Sequence, residues 1–123
     1  MTRDRPVRVL VAGGGIAAAE LVLALRSRAG VEPDITLVAP NPELLYRPES
    51  IFEPFSFAAR RYPLPALAAA LEVTLLPGRV SAVEKDRRVV HVDGERTLEY
   101  DELVVATGAG TSPAVEGATT LRA

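Results

Sequence analysis

Three consecutive glycines separate a short apolar run from an alanine-rich segment near the amino terminus. The apolar run, VRVLVA, covers residues 7–12, and residues 16–26 consist mostly of good helix formers. A glycine between them lets the chain leave a buried strand through backbone angles that a side chain would forbid. This stretch is therefore predicted to fold as a strand, a tight turn and a helix.

The same glycines carry the pattern GxGxxA at Gly13, Gly15 and Ala18. In this fingerprint the first glycine makes the turn, the second lets a pyrophosphate approach the backbone, and the third small residue brings helix and strand together. The free N–H groups of the first helical turn, with about half a positive charge from the helix dipole, then face the diphosphate. The context predicts a dinucleotide site, and a plain strand-to-helix turn is the alternative.

Composition is consistent with one globular domain. The 123 residues are 48% hydrophobic and 24% charged, and the net charge of −2 does not call for nucleic acid as a partner. The chain has no cysteine and a single histidine, His91, which is predicted to be a half-exposed strand residue, so no metal site is expected. No apolar run reaches the ~20 residues of a membrane span. The arginines before the first strand imitate a signal peptide only faintly, and a cytoplasmic location is expected.

The acidic residue that usually completes the fingerprint is missing. The first helix is predicted over residues 15–28, ending near Gly30, and a second, parallel strand over residues 34–40. An Asp or Glu at the end of that strand normally binds the ribose hydroxyls, but Ala39 occupies the position. Asn41 is a substitute that could hydrogen-bond a ribose. NADP is a poor alternative, because no basic residue for a 2′-phosphate stands among residues 40–43.

Residues 41–65 form a long, proline-punctuated segment that contains all three phenylalanines, Phe52, Phe55 and Phe57. Long connections are usually functional or disordered, and the aromatic content argues against disorder. The segment is predicted to be a loop with a short helical turn, packed against a ligand or a partner domain. The alternative is that the phenylalanines cover the local core.

Two further features concern the helices and strands. The first helix is apolar nearly all round, which predicts burial on both sides. Its Glu20 is either a negative charge that is favourable near the helix start or a residue on the ligand side. A second helix is predicted over residues 64–71 and a third parallel strand over residues 72–76. A three-stranded antiparallel meander follows at residues 79–85, 88–92 and 97–100, with an Asp-Gly turn, and then a buried strand at residues 103–110.

These motifs together resemble a known family. The forms GGGIAxxE at residues 13–20 and YDELVVATGA at residues 100–109, with a meander between them, resemble the FAD-binding half of the pyridine nucleotide-disulfide oxidoreductase superfamily. The glycine form and the LLYRPES loop are most similar to its sulfide:quinone oxidoreductase and type II NADH dehydrogenase branch. The resemblance implies a Rossmann-like FAD/NAD(P)-binding α/β fold in three layers, a parallel sheet with an inserted antiparallel β-meander.

The resemblance also implies FAD as the cofactor and gives each candidate residue a place. The diphosphate would lie along the glycine turn, and the ribose beside the end of the second strand. The adenine would lie against the first meander strand, and the flavin near the arginine and proline of the LLYRPES loop. The implied residues, in that order and with the ATG motif last, are Gly13, Gly14, Gly15, Ile16, Ala17, Ala18; Ala39, Asn41; Val80; Arg47; and Ala106, Thr107, Gly108.

Family members are longer than this chain. They carry a second GxGxxG for NAD(P)H, a late Gly-Asp motif and a C-terminal domain, and residues 117–122 look like the start of a crossover toward that second part. Residues 1–123 are therefore expected to be an FAD-binding domain from a longer oxidoreductase. No catalytic residue is expected in it, and alone it would be inactive. Its partners would be FAD, held weakly, and the remainder of the enzyme.

An unpaired sheet edge and the aromatic loop predict self-association of such a fragment. In the full enzyme the flavin would pass electrons to a second acceptor, and reduction of a quinone would imply a membrane-peripheral location. Two other function classes stay open. One is a regulatory domain that senses NAD(H) without catalysis, although it would normally have the strand-end acid. The other is a structural or interaction module that has lost its ligand.

Overall fold

The computed structural model describes residues 5–28, 30, 32–55, 57–110 and 115–117. The predicted start of a crossover at residues 117–122 lies outside these residues, apart from Gly117. In chain order the elements are β1 (Arg8–Ala12), α1 (Ile16–Ser27), β2 (Asp34–Ala39), β3 (Glu43–Leu45), a 3₁₀ helix (Arg47–Phe55), β4 (Arg61–Pro63), α2 (Leu64–Ala70), β5 (Thr74–Pro77), β6 (Val80–Glu84), β7 (Val89–Val92), β8 (Arg96–Glu99) and β9 (Glu102–Val105).

The centre is a four-stranded parallel sheet in the spatial order β5-β2-β1-β9. Val11 of β1 is paired with Leu37 on one side and with Val104 on the other. Leu37 is in turn paired with Leu75 of β5. The predicted parallel strands are thus confirmed, although the third begins later than expected, at Thr74.

The two faces of this sheet bury different residues, because side chains alternate along each strand. One face packs against α1 and α2, and its core contains Val9, Val11, Ala18, Val22, Ile35, Leu37, Ala39, Leu44 and Leu64. The opposite face packs against the antiparallel sheet β6-β7-β8, and its core contains Leu10, Val38, Val90, Val92 and Tyr100. The predicted three-layer α/β fold with an inserted meander is confirmed.

Helix α1 is less enclosed than predicted. Ala18 and Val22 are its buried residues, whereas Leu23 is 50% exposed and Glu20 faces solvent. The prediction of burial on both sides is wrong, because one face of the helix meets the sheet and the other carries small and apolar residues outward. No helix in the described part of the chain is long and apolar enough to cross a membrane.

Strand β9 is an edge strand, and the prediction that it is buried is wrong. Among the described residues it pairs with β1 alone, and Val105 at its end is 67% exposed. Its apolar run was typical of a strand with neighbours on both sides. The structure therefore presents an apolar strand edge beside β1.

The segment between β2 and α2 contains more structure than the predicted loop. Strands β3 and β4 form an antiparallel pair, and the 3₁₀ helix stands between them. Glu49 ties the segment together by accepting hydrogen bonds from Arg60 N (2.9 Å) and Arg60 Nε (2.7 Å), contacts that lower the pKa of the Glu49 carboxyl. Such pairings are non-local, and strands this short give too little periodicity to be recognised in a sequence.

The phenylalanines of this segment do not cover the core. Phe52 is 51% exposed, Phe55 79% and Phe57 68%, and Phe52 and Phe57 contact each other edge to face with 6.5 Å between ring centroids. The alternative that they cover the local core is therefore wrong. Ile51 and Tyr62 of the same segment are exposed as well.

The meander follows the prediction closely. At the turn between β7 and β8, Asp93 and Gly94 have φ of +53° and +75°, the left-handed conformation that tight hairpin turns favour. His91 stands between the fully buried Val90 and Val92 and points outward. Its Nε2 lies 2.6 Å from Glu84 Oε1. His91 is thus the partly exposed strand residue that the sequence predicted.

A buried carboxylate joins β1 to β9 at the amino-terminal end of the sheet. Asp101 accepts hydrogen bonds from Arg5 Nη1 (2.7 Å), Arg5 Nη2 (2.9 Å) and Arg8 N (2.8 Å). The Arg5 guanidinium and the Arg8 amide hold the pKa of this carboxyl well below its usual range. The contact lies at the end of the sheet opposite to the glycine turn, so we assign it a structural role.

This ion pair predicts acid sensitivity of the fold. Because the pKa of Asp101 is lower in the folded chain than its unfolded value of about 3.9, its stabilisation is complete above that pH and is lost as the pH falls below it. We expect Asp101→Asn to melt several degrees lower at pH 7 and to lose less on acidification than the unsubstituted chain. Thermal melts at a series of pH values measure both effects, with Asp34→Asn, exposed at the start of β2, as the control. If the melting temperatures of Asp101→Asn and of the unsubstituted chain fell by the same amount on acidification, the assignment would be wrong.

Candidate functional site

A cleft opens where the parallel strands end. It has a volume of about 300 Å³ and lies at the carboxyl ends of β1, β2 and β9. Ligands of open α/β sheets bind at this edge, where the chain continues to opposite sides of a central strand. β1 is that strand here, with β2 on one side and β9 on the other.

Gly13 turns the chain out of β1. Its φ is +130°, and a Cβ on it would lie 2.1 Å from the carbonyl oxygen of Ala106. The turn is fixed from both sides, since Gly13 N donates to Val38 O (2.8 Å) and Ala106 N donates to Ala12 O (2.8 Å). The predicted reason for glycine at this position is confirmed, and the close neighbour is the segment after β9.

The next two glycines have different surroundings. A Cβ on Gly14 would meet the Cβ of Ala39 and Leu64 Cδ1, each at 2.7 Å, so Gly14 lets the turn pack against β2 and α2. A Cβ on Gly15 would meet nothing within 4 Å. Nothing in the described protein therefore requires a glycine at position 15, which is one of the residues that line the cleft.

Helix α1 starts directly behind Gly15. Its first hydrogen bond runs from Ala19 N to Gly15 O (3.1 Å), and Gly15 has no side chain to cap the helix. The amides of the first helical turn therefore have no partner within the helix. Ala18 is fully buried against the sheet, which confirms the predicted packing role of the third small residue in the pattern.

The segment after β2 forms a wall of the cleft with a period of two. The residues of this segment that line the cleft include Asn41, Glu43, Leu45 and Arg47. The intervening Leu44 is buried in the core on the sheet face that packs against α1 and α2. Within β3 this alternation is that of an extended strand, whereas Arg47 begins the 3₁₀ helix. The wall thus presents an amide, a carboxylate, an apolar side chain and a guanidinium in succession.

The wall on the meander side is fixed by Asp93. This carboxylate accepts hydrogen bonds from Arg79 N (2.9 Å) and from Arg96 Nη2 (3.0 Å), and the first of these is the main cause of its lowered pKa. Gly78 fits here because a Cβ on it would lie 2.6 Å from Val92 Cγ1. These contacts therefore hold the backbone that leads into Val80 at the cleft.

The structure brings most of the candidate residues together around this cleft. Ile16, Ala17 and Ala18 are the exceptions, since they contribute helix backbone behind the turn; Glu20 faces solvent and does not line it. The candidates that line the cleft are Gly13, Gly14, Gly15, Ala39, Asn41, Arg47, Val80, Ala106, Thr107 and Gly108. Their binding role stays a prediction.

Several lining residues were not identified from the sequence, namely Ala12, Val38, Pro40, Glu43, Leu45, Gly78 and Arg79. The period of two through residues 41–47 could have indicated Glu43 and Leu45, but prolines at positions 40 and 42 obscured it. The position of Arg79 depends on how the meander folds over the sheet, which local sequence does not determine.

A second cavity lies between α1 and α2, lined by apolar side chains that include Val22, Leu64 and Leu71. Its volume of about 10 Å³ is that of one small gap in the packing. The cleft at the glycine turn is the candidate site.

Comparison with known proteins agrees with this geometry. A family model described as pyridine nucleotide-disulphide oxidoreductase matches residues 7–122. The chain is 32% identical over 111 residues to putidaredoxin reductase of Pseudomonas putida, a match that covers 85% of this chain and 26% of that protein.

Solved structures show the same fold. The sulfide:quinone oxidoreductase from the hyperthermophilic bacterium Aquifex aeolicus matches with a TM-score of 0.84 at 24% identity, over 90% of this chain and 26% of that one. A putidaredoxin reductase in covalent complex with putidaredoxin matches with a TM-score of 0.72 at 30% identity, over 89% of this chain and 28% of that one. The chain thus spans about a quarter of the length of these relatives. The match over residues 7–122 shows that the chain belongs to the pyridine nucleotide-disulphide oxidoreductase family.

Proposed function

We propose that the cleft binds FAD and that this chain is the FAD-binding part of a flavin-dependent NAD(P)H or sulfide/quinone-type oxidoreductase. The observation that carries the proposal is the open space at Gly15, which lines the cleft. A Cβ there would meet nothing within 4 Å, and the first-turn amides of α1 have no partner within the helix. Backbone amides at a helix start, with no side chain in front of them, fit a diphosphate. Bound flavin would supply the redox chemistry, and this chain would bind and orient it.

Each wall of the cleft then has a part in the proposal. The amides of residues 14–17 would receive the diphosphate, the backbone near Val80 the adenine, and Arg47 would approach the flavin side. Ala106, Thr107 and Gly108 close the cleft opposite the wall formed by residues 41–47. No side chain of this chain is assigned a catalytic role, so we propose that the chain alone is inactive.

The remainder of a longer enzyme is the proposed second partner. The apolar edge at β9 and the exposed phenylalanines are surfaces that such a remainder would cover. About three quarters of the length of the relatives lies outside the part that matches this chain. In its absence, we propose that these surfaces mediate self-association. A cytoplasmic location, membrane-peripheral for a quinone-reducing full-length form, belongs to the same proposal.

A regulatory site for NAD(H) is the second candidate function. The cleft favours it less, because the strand-end position that normally carries a ribose-binding acid is the buried Ala39. The glycine turn suits either dinucleotide, so ligand binding must distinguish them.

A thermal-shift series with FAD, FMN, NAD and NADP tests the proposal. We expect the purified chain to carry little flavin and to be stabilised by added FAD, by about 2.7 kcal/mol when the free ligand is at 100 times Kd. NAD and NADP should give smaller shifts at equal concentration. A shift by NAD alone would favour the sensing function, and no shift with any of them would favour a structural module.

A further inference from the structure

The wall formed by residues 41–47 contains a carboxylate near the end of β2. Leu44 points into the core, and its neighbours on either side, Glu43 and Leu45, both face the cleft. Glu43 is held in an extended backbone, because β3 pairs with β4 and places Glu43 opposite Pro63. Its position on the cleft thus follows from strand geometry.

Among the described residues this carboxylate has one long ion pair and accepts no hydrogen bond. The ion pair is with Arg61, whose Nε lies 4.0 Å from Glu43 Oε2, beyond hydrogen-bonding distance. Arg61 is itself paired with Glu53 at 3.3 Å. The Glu43 side chain is 55% exposed, so its oxygens can accept hydrogen bonds from a ligand in the cleft.

The cleft has no other carboxylate among its described lining residues. The position where the fingerprint expects a ribose-binding acid is Ala39, which is 3% exposed and whose carbonyl accepts from Gly78 N at 3.0 Å. Asn41 lies nearer to the strand end, but a neutral amide makes weaker hydrogen bonds to hydroxyls than a carboxylate does. Moreover, a carboxylate is unfavourable beside phosphate, so Glu43 suits a neutral diol.

We propose that Glu43 is the residue that binds the adenosine ribose, accepting hydrogen bonds from its 2′- and 3′-hydroxyls in place of the absent strand-end acid. This rests on the proposed nucleotide function of the cleft. It makes Glu43 a specificity-determining residue, which favours a free ribose diol and disfavours a 2′-phosphate. The cleft would then select FAD, NAD or ADP over NADP by charge.

Titration calorimetry with ADP and 2′,3′-dideoxy-ADP tests the proposal, because the two probes differ in the diol alone. We expect the unsubstituted chain to prefer ADP by about tenfold, the value of hydrogen bonds to a charged acceptor. Glu43→Ala should remove this preference and leave dideoxy-ADP affinity unchanged. Glu43→Gln, which keeps the shape of the side chain, should retain a smaller preference.

One control variant and one variant of the competing candidate make the result specific. Glu32→Ala removes the same charge at the opposite end of β2 and should keep the tenfold preference. Asn41→Ala removes the competing candidate for ribose binding, and the tenfold preference should persist in this variant. A preference that survives in Glu43→Ala, or that Asn41→Ala abolishes, would overturn the assignment of Glu43 while leaving the nucleotide site intact. Failure of the unsubstituted chain to bind either probe would instead overturn the nucleotide proposal.

Discussion

Replacement of Gly13 by alanine is expected to unfold most of the chain. A Cβ at this position would lie 2.1 Å from Ala106 O and 2.6 Å from Ala106 C, both backbone atoms that cannot rotate away. The φ of +130° is in addition a conformation that L-residues rarely adopt. We expect a loss of at least about 3 kcal/mol, since strained backbone and displacement of β9 from β1 add together. Urea denaturation followed by far-UV circular dichroism measures it.

Gly30→Ala is the matched control for that experiment. Gly30 also has a positive φ, +78°, but a Cβ on it would meet nothing within 4 Å. It therefore measures the cost of a left-handed backbone without a collision, about 1 kcal/mol, and sets a lower bound for the conformational cost at Gly13. Equal losses in the two variants would show that the turn is not seated against the segment after β9.

The sequence was most informative at positions where a single physical requirement determines the residue type. Gly13 and Ala18 were assigned from local chemistry, and the structure gives each the surroundings expected of it. The Asp-Gly turn of the meander was equally local. Such positions can be recognised in a sequence because only certain residue types allow the required backbone angle or close approach.

The sequence was less informative where position depends on distant pairing. The pairing of β3 with β4 joins residues on either side of a nine-residue 3₁₀ helix, and no local pattern specified it. The exposure of Val105 could not be predicted either, because an apolar strand has the same sequence at an edge as at the centre of a sheet. Glu43 was not identified from the sequence, because its position at the cleft depends on the non-local pairing of β3 with β4.

The outer face of α1 shows a further limit. Apolar residues along a helix were interpreted as evidence of burial, yet Leu23 is half exposed. An apolar helix face can be buried by another segment of protein. Its sequence does not show whether that segment belongs to the same stretch of chain. The same ambiguity applied to the phenylalanines of the 41–65 segment, which are exposed in the described chain.

Gly15→Ala is expected to separate binding from folding. The backbone at Gly15 has a φ of −89°, which alanine adopts readily, and the added Cβ would meet no protein atom within 4 Å. Stability should therefore change by less than about 1 kcal/mol, the scale of an N-cap substitution. In the proposed complex the methyl group would stand where the diphosphate approaches the backbone, so FAD affinity should fall at least about tenfold.

Two measurements on the same sample make the comparison direct. Quenching of flavin fluorescence gives the affinity for FAD, and a urea denaturation curve without ligand gives the stability. Together with the Gly13 variant, Gly15→Ala divides the turn into a position that the fold requires and a position that the ligand requires. Undiminished FAD binding by a stable Gly15→Ala chain would show that the open space at the turn does not receive the diphosphate, and the proposed orientation of the nucleotide would be wrong.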